Sequence, residues 1–294
     1  MDAEIDRENE GQNLRMEQFN LHSNTMIHLI VDYAQGDLAI SEVMDALYRE
    51  LGLVNRQVTS VSDFNTVETG FVVGQLALAP KSDNLNVILY VNCAPRRDRG
   101  SARKDNEGEE LVYGVIKSNN RKIVAVNSGY SLSFVREELK ELWRLNVQRG
   151  GSQFRSRDIF PPVVAAAARE EIKNLLKEPL DPKKHIPEVP EGVIGYIDSF
   201  GNIKTTYRQS SPLIQGLKAG DLVEATIGSV TRTAVVATGS FNARKGELVF
   251  APGSSGYNDR FWELFQRDGS ARKEFRDPRA GDKVIIKPTG KSTS

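Results

Sequence analysis

The chain has 294 residues with 39 Lys+Arg balanced by 39 Asp+Glu, three histidines and one cysteine. That length suits about two domains of roughly 100–200 residues. One cysteine excludes an internal disulfide framework and a Cys-rich zinc cluster. No apolar stretch approaches the ~20 residues of a membrane-spanning helix, and the opening MDAEIDRENEGQ is acidic where a signal peptide is basic. A reducing, cytoplasmic setting with no membrane partner is the expectation.

Residues 1–25 carry six acids against two bases with little apolar periodicity and read as a solvated tail. From Met26 the run MIHLIVDY predicts a strand. ISEVMDALYRELG follows, with Ile40, Val43, Met44, Leu47 and Leu51 at helical spacing before Gly52. Next come QVTSVSD as strand, TVETGFVVGQLALAP as helix, NVILYVN and IVAVNS as strands, and SFVREELKELWRL and REEIKNLLK as helices. Buried strands alternating with helices predict an α/β domain over 26–179 with a largely parallel sheet. The Pro-rich stretch 180–192 reads as a linker. Beyond it GVIGYIDS, NIKTTY, LVEATIG, TRTAVVATG, GELVFA and DKVIIKP predict a smaller all-β barrel over 193–288, with 289–294 a short tail.

Ligands of open α/β sheets gather at the carboxyl ends of strands. Asp32 ends the first strand, with Asp37 five residues on; a carboxylate there suits ribose hydroxyls or a helix cap. Asn92 leads into a basic loop holding Arg96, Arg97, Arg99, Arg103 and Lys104, offset by five acids through Glu110. A solvated loop and a phosphate or nucleic-acid groove compete there. Asn127 ends another strand. In FRSRDIFPP, Asp158 can be a cap or an ion-pair partner of an arginine. DSFGN sets Asp198, Phe200 and Asn202 on a tight turn; Phe200 is suited to stacking on a heteroaromatic ring, and a plain hairpin turn is the alternative. Trp262 and Phe265 read as core. His22, His28 and His185 have no second His or Cys at metal-ligand spacing, so neither a metal site nor a His-dependent triad is expected.

In order, DYAQGD, FRSRDIFPPVVAAAA, YIDSFGNIKTTY and RDGSARKEF resemble the S-adenosylmethionine hydroxide adenosyltransferases, relatives of the fluorinating and chlorinating enzymes. They are similar to that family's Asp-Phe-Gly-x-x-Asp, His-Gly-Arg-Asp-Ile-Phe-Ala-Pro, Asp-x-Phe-Gly-Asn and Gly-Ser-Ala elements. The resemblance implies an N-terminal α/β domain joined to a C-terminal barrel and a homotrimer with the nucleoside between neighbouring subunits. It implies water attack at the ribose C5′ of S-adenosylmethionine, which is substrate; no cofactor or metal is implied. Carried over, Asp32 would hold the ribose with Asp37 nearby; Asp198, Phe200 and Asn202 would meet the methionine or adenine portions, and Ser255, Arg267 and Ala271 would come from a second subunit. The family's water-activating Asp, Arg and His fall at Asn92, Arg99 and Arg155. Asn92 is no general base and Arg155 is always protonated, so a nucleoside-binding trimer without turnover, and an enzyme using an anionic nucleophile, stand beside the hydrolase reading.

Overall fold

The computed structural model describes residues 24–81, 85–93, 110–147, 154–239 and 242–291. The fold is mixed α/β with two seven-stranded sheets and few helices. The chain divides into two compact units: residues 1–69 with 76–187, and residues 70–75 with 188–294.

In the first unit β1 (Thr25–Val31) leads to α1 (Leu38–Leu51) and β2 (Asn55–Ser60); α2 (Thr66–Ala77), whose residues 70–75 belong to the second unit, follows, and then β3 (Asn86–Asn92). These follow the expected order because their apolar residues keep one period throughout: Ile40, Val43, Leu47 and Leu51 form one buried stripe of α1. Then come β4 (Glu110–Ile116), β5 (Lys122–Asn127), β6 (Leu139–Leu145), α3 (Arg155–Asp158), α4 (Phe160–Ala168) and β7 (Leu176–Pro179). The sheet order is β2-β1-β3-β5-β4-β6-β7. Pairings from β2 through β5 are parallel, and those from β5 through β7 are antiparallel. The expected largely parallel sheet is therefore only half parallel. Ile27, Leu29 and Val31 of β1, with Ile88 and Tyr90 of β3, share a core with α1 and with Phe160, Val163, Val164 and Ala167 of α4.

Three segments depart from the sequence reading. LKELWRL is strand β6 rather than helix, preceded by a 3-10 turn over Ser133–Glu138. Leu139, Leu142 and Leu145 are its buried leucines, and their spacing of three imitates a helical stripe. Pairing with strands on both sides, with bulges at Val115/Ile116 and Arg144/Leu145, overrides that pattern. REEIKNLLK likewise becomes a 3-10 turn over Ile172–Leu175 running into β7. The Pro-rich stretch starts as part of the first unit: α5 (Pro182–His185) is capped by Asp181, and Leu180 and Ile186 are buried.

The second unit contains β8 (Ile194–Ile197), β9 (Ile203–Arg208), α6 (Pro212–Gln215), β10 (Asp221–Ile227), β11 (Val230–Val236), β12 (Leu248–Pro252), β13 (Phe261–Gln266), α7 (Ala271–Glu274) and β14 (Val284–Lys291). Its sheet order is β14-β10-β11-β12-β13-β9-β8. The sheet curls until a bridge between Val193 and Lys283 links the approach to β8 with the approach to β14. Phe250, Leu264, Val223, Ile194 and Trp262 fill its interior.

Candidate functional site

In the parallel half of the first sheet, β2 lies on one side of β1 and β3 on the other. β1 runs on through α1 to β2 on one side while β3 pairs with β5 on the other, and at such a switch point open α/β sheets take ligands at the carboxyl ends of the strands. Asp32 and Asn92 stand at those two ends. Their backbones are linked, Asp32 N donating to Asn92 O at 3.3 Å. Sequence position and topology thus converge on one place, because both residues terminate apolar strands.

The Asp32 carboxylate accepts from the Phe64 backbone N–H at 3.3 Å. The Cys93 thiol lies beside it, and burial followed by the Asp32 charge pushes that thiol well above its ordinary range. Cys93 is fully buried and a poor nucleophile.

Asn92 donates its amide N–H to Ser156 Oγ. Tyr90, fully buried within β3, donates its hydroxyl to Ser156 O at 2.7 Å. Ser156 sits in α3 directly after Arg155, so these bonds fix the α3 turn over the end of β3. Asp32 and Asn92, both singled out by sequence, thus stand at one end of one sheet, and Arg155 opens the α3 turn held there through Ser156. Burial raises the hydroxyl pKa of both Tyr33 and Tyr90.

The neighbouring residues have structural employment. Asp37 caps α1, accepting from Ala39 N at 2.8 Å. Asp158 pairs with Arg157 at 2.7 Å, and Arg157 reaches Glu42 of α1 at 3.3 Å. Asn127 ends β5 and donates to His185 O at 3.1 Å, holding α5. Gly129, two residues later, has φ of +46°, and a Cβ there would meet Thr66 Oγ1 at 2.6 Å. Arg99 and the rest of the basic loop lie outside the described residues.

In the second unit, Asp198 Oδ1 accepts from Phe200 N and Asn202 N at 3.0 Å each, and Oδ2 from Asn202 Nδ2 at 3.0 Å. Lys204 bonds Glu263 at 2.7 Å and lies 3.8 Å from Asp198. The turn is thus self-satisfied and leaves Phe200 77% exposed. Gly201 accepts from Arg272 N at 2.9 Å, has φ of +81° and abuts Ser270, so the DSFGN turn and the Gly-Ser-Ala stretch are neighbours. Ala271 is fully buried beside them. Arg267 is spent on Ala243 O at 2.5 Å. Ser255 is buried in the β12–β13 connection, its carbonyl accepting from Phe261 N at 2.9 Å.

Sequence reasoning missed Tyr33, Tyr90 and Ser156. A tyrosine inside the otherwise apolar NVILYVN, and a serine between two arginines, were the available signals. Among the described residues no group of three His, Cys, Asp or Glu is placed to hold a metal ion. No described helix is long and apolar enough to cross a membrane.

No family model and no curated protein matches the chain. Among solved structures it is similar to an uncharacterized conserved protein from Thermotoga maritima, at 21% identity and a TM-score of 0.68, covering 89% of this chain and 100% of that one. It is also similar to a conserved hypothetical protein from Thermus thermophilus, at 17% identity and a TM-score of 0.62, covering 90% of this chain and 100% of that one. At these identities the likeness shows the fold alone.

Proposed function

We propose that the sheet end carrying Asp32 and Asn92 binds the ribose of S-adenosylmethionine and that the protein hydrolyses the latter to adenosine and methionine. The observation that supports this best is the Asp32 carboxylate at the switch point between β1 and β3, where a vicinal diol can donate to it. In the reaction a water oxygen forms the bond to C5′ as the C5′–S bond breaks. The bonding pair stays on sulfur, methionine departs as a neutral thioether, and the surplus proton passes to solvent.

The sulfonium is already an activated leaving group, so positioning and desolvation carry the rate and a strong base is dispensable. Asn92 supplies an amide oxygen to orient water. Arg155 and Arg99 are the remaining members of the catalytic set carried over from the resemblance, and Asp37 lies near the same end. Asp198, Phe200 and Asn202 are proposed to meet the methionine or adenine portions, with Phe200 stacking, and Ser255, Arg267 and Ala271 are the proposed contribution of a neighbouring subunit in a homotrimer. Phe200 supports the stacking role: it is a large aromatic held out by a turn that satisfies its own polar groups.

The test is incubation of purified protein with S-adenosylmethionine, following adenosine and methionine by chromatography, with calorimetric titration of adenosine. Equimolar products above the blank support the reading. Adenosine binding without products reduces it to a nucleoside-binding protein, and neither binding nor products overturns it.

A further inference from the structure

Tyr33 stands where the Asp-Phe-Gly-x-x-Asp element of the family this chain resembles has phenylalanine, so its hydroxyl is an addition to a ring that packing alone would explain. The ring meets Phe154 edge-on, with centroids 6.5 Å apart and planes at 73°. The hydroxyl is buried and has no hydrogen-bond partner among the described residues. The Ser156, Tyr90 and Asn92 side chains lie near enough to act on its ionisation, but none meets it in hydrogen-bond geometry. Tyr90 has committed its proton to Ser156 O, and Asn92 one of its two amide protons to Ser156 Oγ. Capacity left among these side chains is the Tyr33 O–H, the Ser156 O–H, and the Asn92 amide oxygen with its second amide proton.

An unpaired buried hydroxyl is costly, and a site with two to four polar partners is where a protein ordinarily holds an ordered water. We propose that Tyr33 holds the attacking water, donating its hydroxyl proton to the water oxygen while Asn92 Oδ1 accepts one water proton. This rests on the hydrolase reading above. One water lone pair is then left to form the bond to C5′; the C5′–S pair goes to sulfur and the released proton to solvent. Burial raises the Tyr33 pKa, so the residue remains a donor throughout and contributes geometry rather than proton abstraction.

Tyr33→Phe removes only the oxygen and keeps the edge contact with Phe154. The expected result is a fall in kcat of about 10- to 100-fold, the cost of a misplaced nucleophile, with KM and adenosine affinity within about twofold of wild type. Installing 4-aminophenylalanine at position 33 restores a donor and should recover much of the lost kcat, which a packing role would not do. It also serves if Tyr33→Phe fails to fold. Unchanged kcat in a folded Tyr33→Phe variant of an active protein overturns this inference alone. A wild-type protein that binds adenosine and yields no products overturns the hydrolase reading and this one with it.

Discussion

Asp32 and Asp37 are five positions apart and hold different partners. Asp37 is exposed and spends its side chain on the first turn of α1. Asp37→Ala should cost about 1 kcal/mol, the usual value of an N-cap, read as a lower urea midpoint. Asp32 is half-buried at the switch point. Asp32→Asn should weaken adenosine binding about 10- to 100-fold by calorimetry, corresponding to hydrogen bonds with a charged acceptor of ~1.5–3 kcal/mol. His28 gives a pH signature. It lies within β1; burial first, and then Arg121, lowers its pKa from 6.5. The folded protein keeps it neutral while the unfolded chain takes up a proton below about pH 6.5, so its contribution is complete above that pH and is lost as pH falls toward the folded value. Thermal melts of wild type and His28→Leu from about pH 7.5 to about 5.5, bracketing the ordinary histidine range, should show the steeper decline in wild type.

At the scale of elements, Lys122 pins β5 to its surroundings. Its ammonium donates to Asn86 Oδ1 at 3.1 Å and Ala167 O at 3.0 Å, and pairs with Glu170. Glu170 is exposed, so the ion pair itself counts for little. The amide and carbonyl acceptors lose a buried donor in Lys122→Met, for a loss of about 2 kcal/mol in urea unfolding. Elements were legible wherever one periodicity ran unbroken, as in α1 and in the continuous apolar runs of β1, β3 and β5. β6 was not: its leucines recur every three residues, its composition favours helix, and the pairing that makes it a strand is non-local. β4, with the run LVYGVI, went unmarked, and with β6 and β7 it turns half of the expected parallel sheet antiparallel. The site was partly legible. Asp32 and Asn92 were marked by ending apolar strands, whereas the Tyr33–Tyr90–Ser156 cluster needed the sheet order and the α3 turn to bring its members together.

For the whole molecule, two seven-stranded sheets carry the motifs separately: the switch-point residues in the first unit, and the DSFGN turn with its Gly-Ser-Ala neighbour in the second. With a site completed by a neighbouring subunit, the protein in solution should have the mass of three 32.6 kDa chains by light scattering, and a monomer would contradict the proposed sharing. The most direct test of the central claim is S-adenosylmethionine turnover by the wild-type protein alongside Asp32→Asn. Wild type should give equimolar adenosine and methionine, with product formation at subsaturating substrate reduced about 10- to 100-fold in the variant, matching the lost ribose hydrogen bonds. Wild-type protein that forms no product and binds no adenosine, or a folded Asp32→Asn variant as active as wild type, would contradict it.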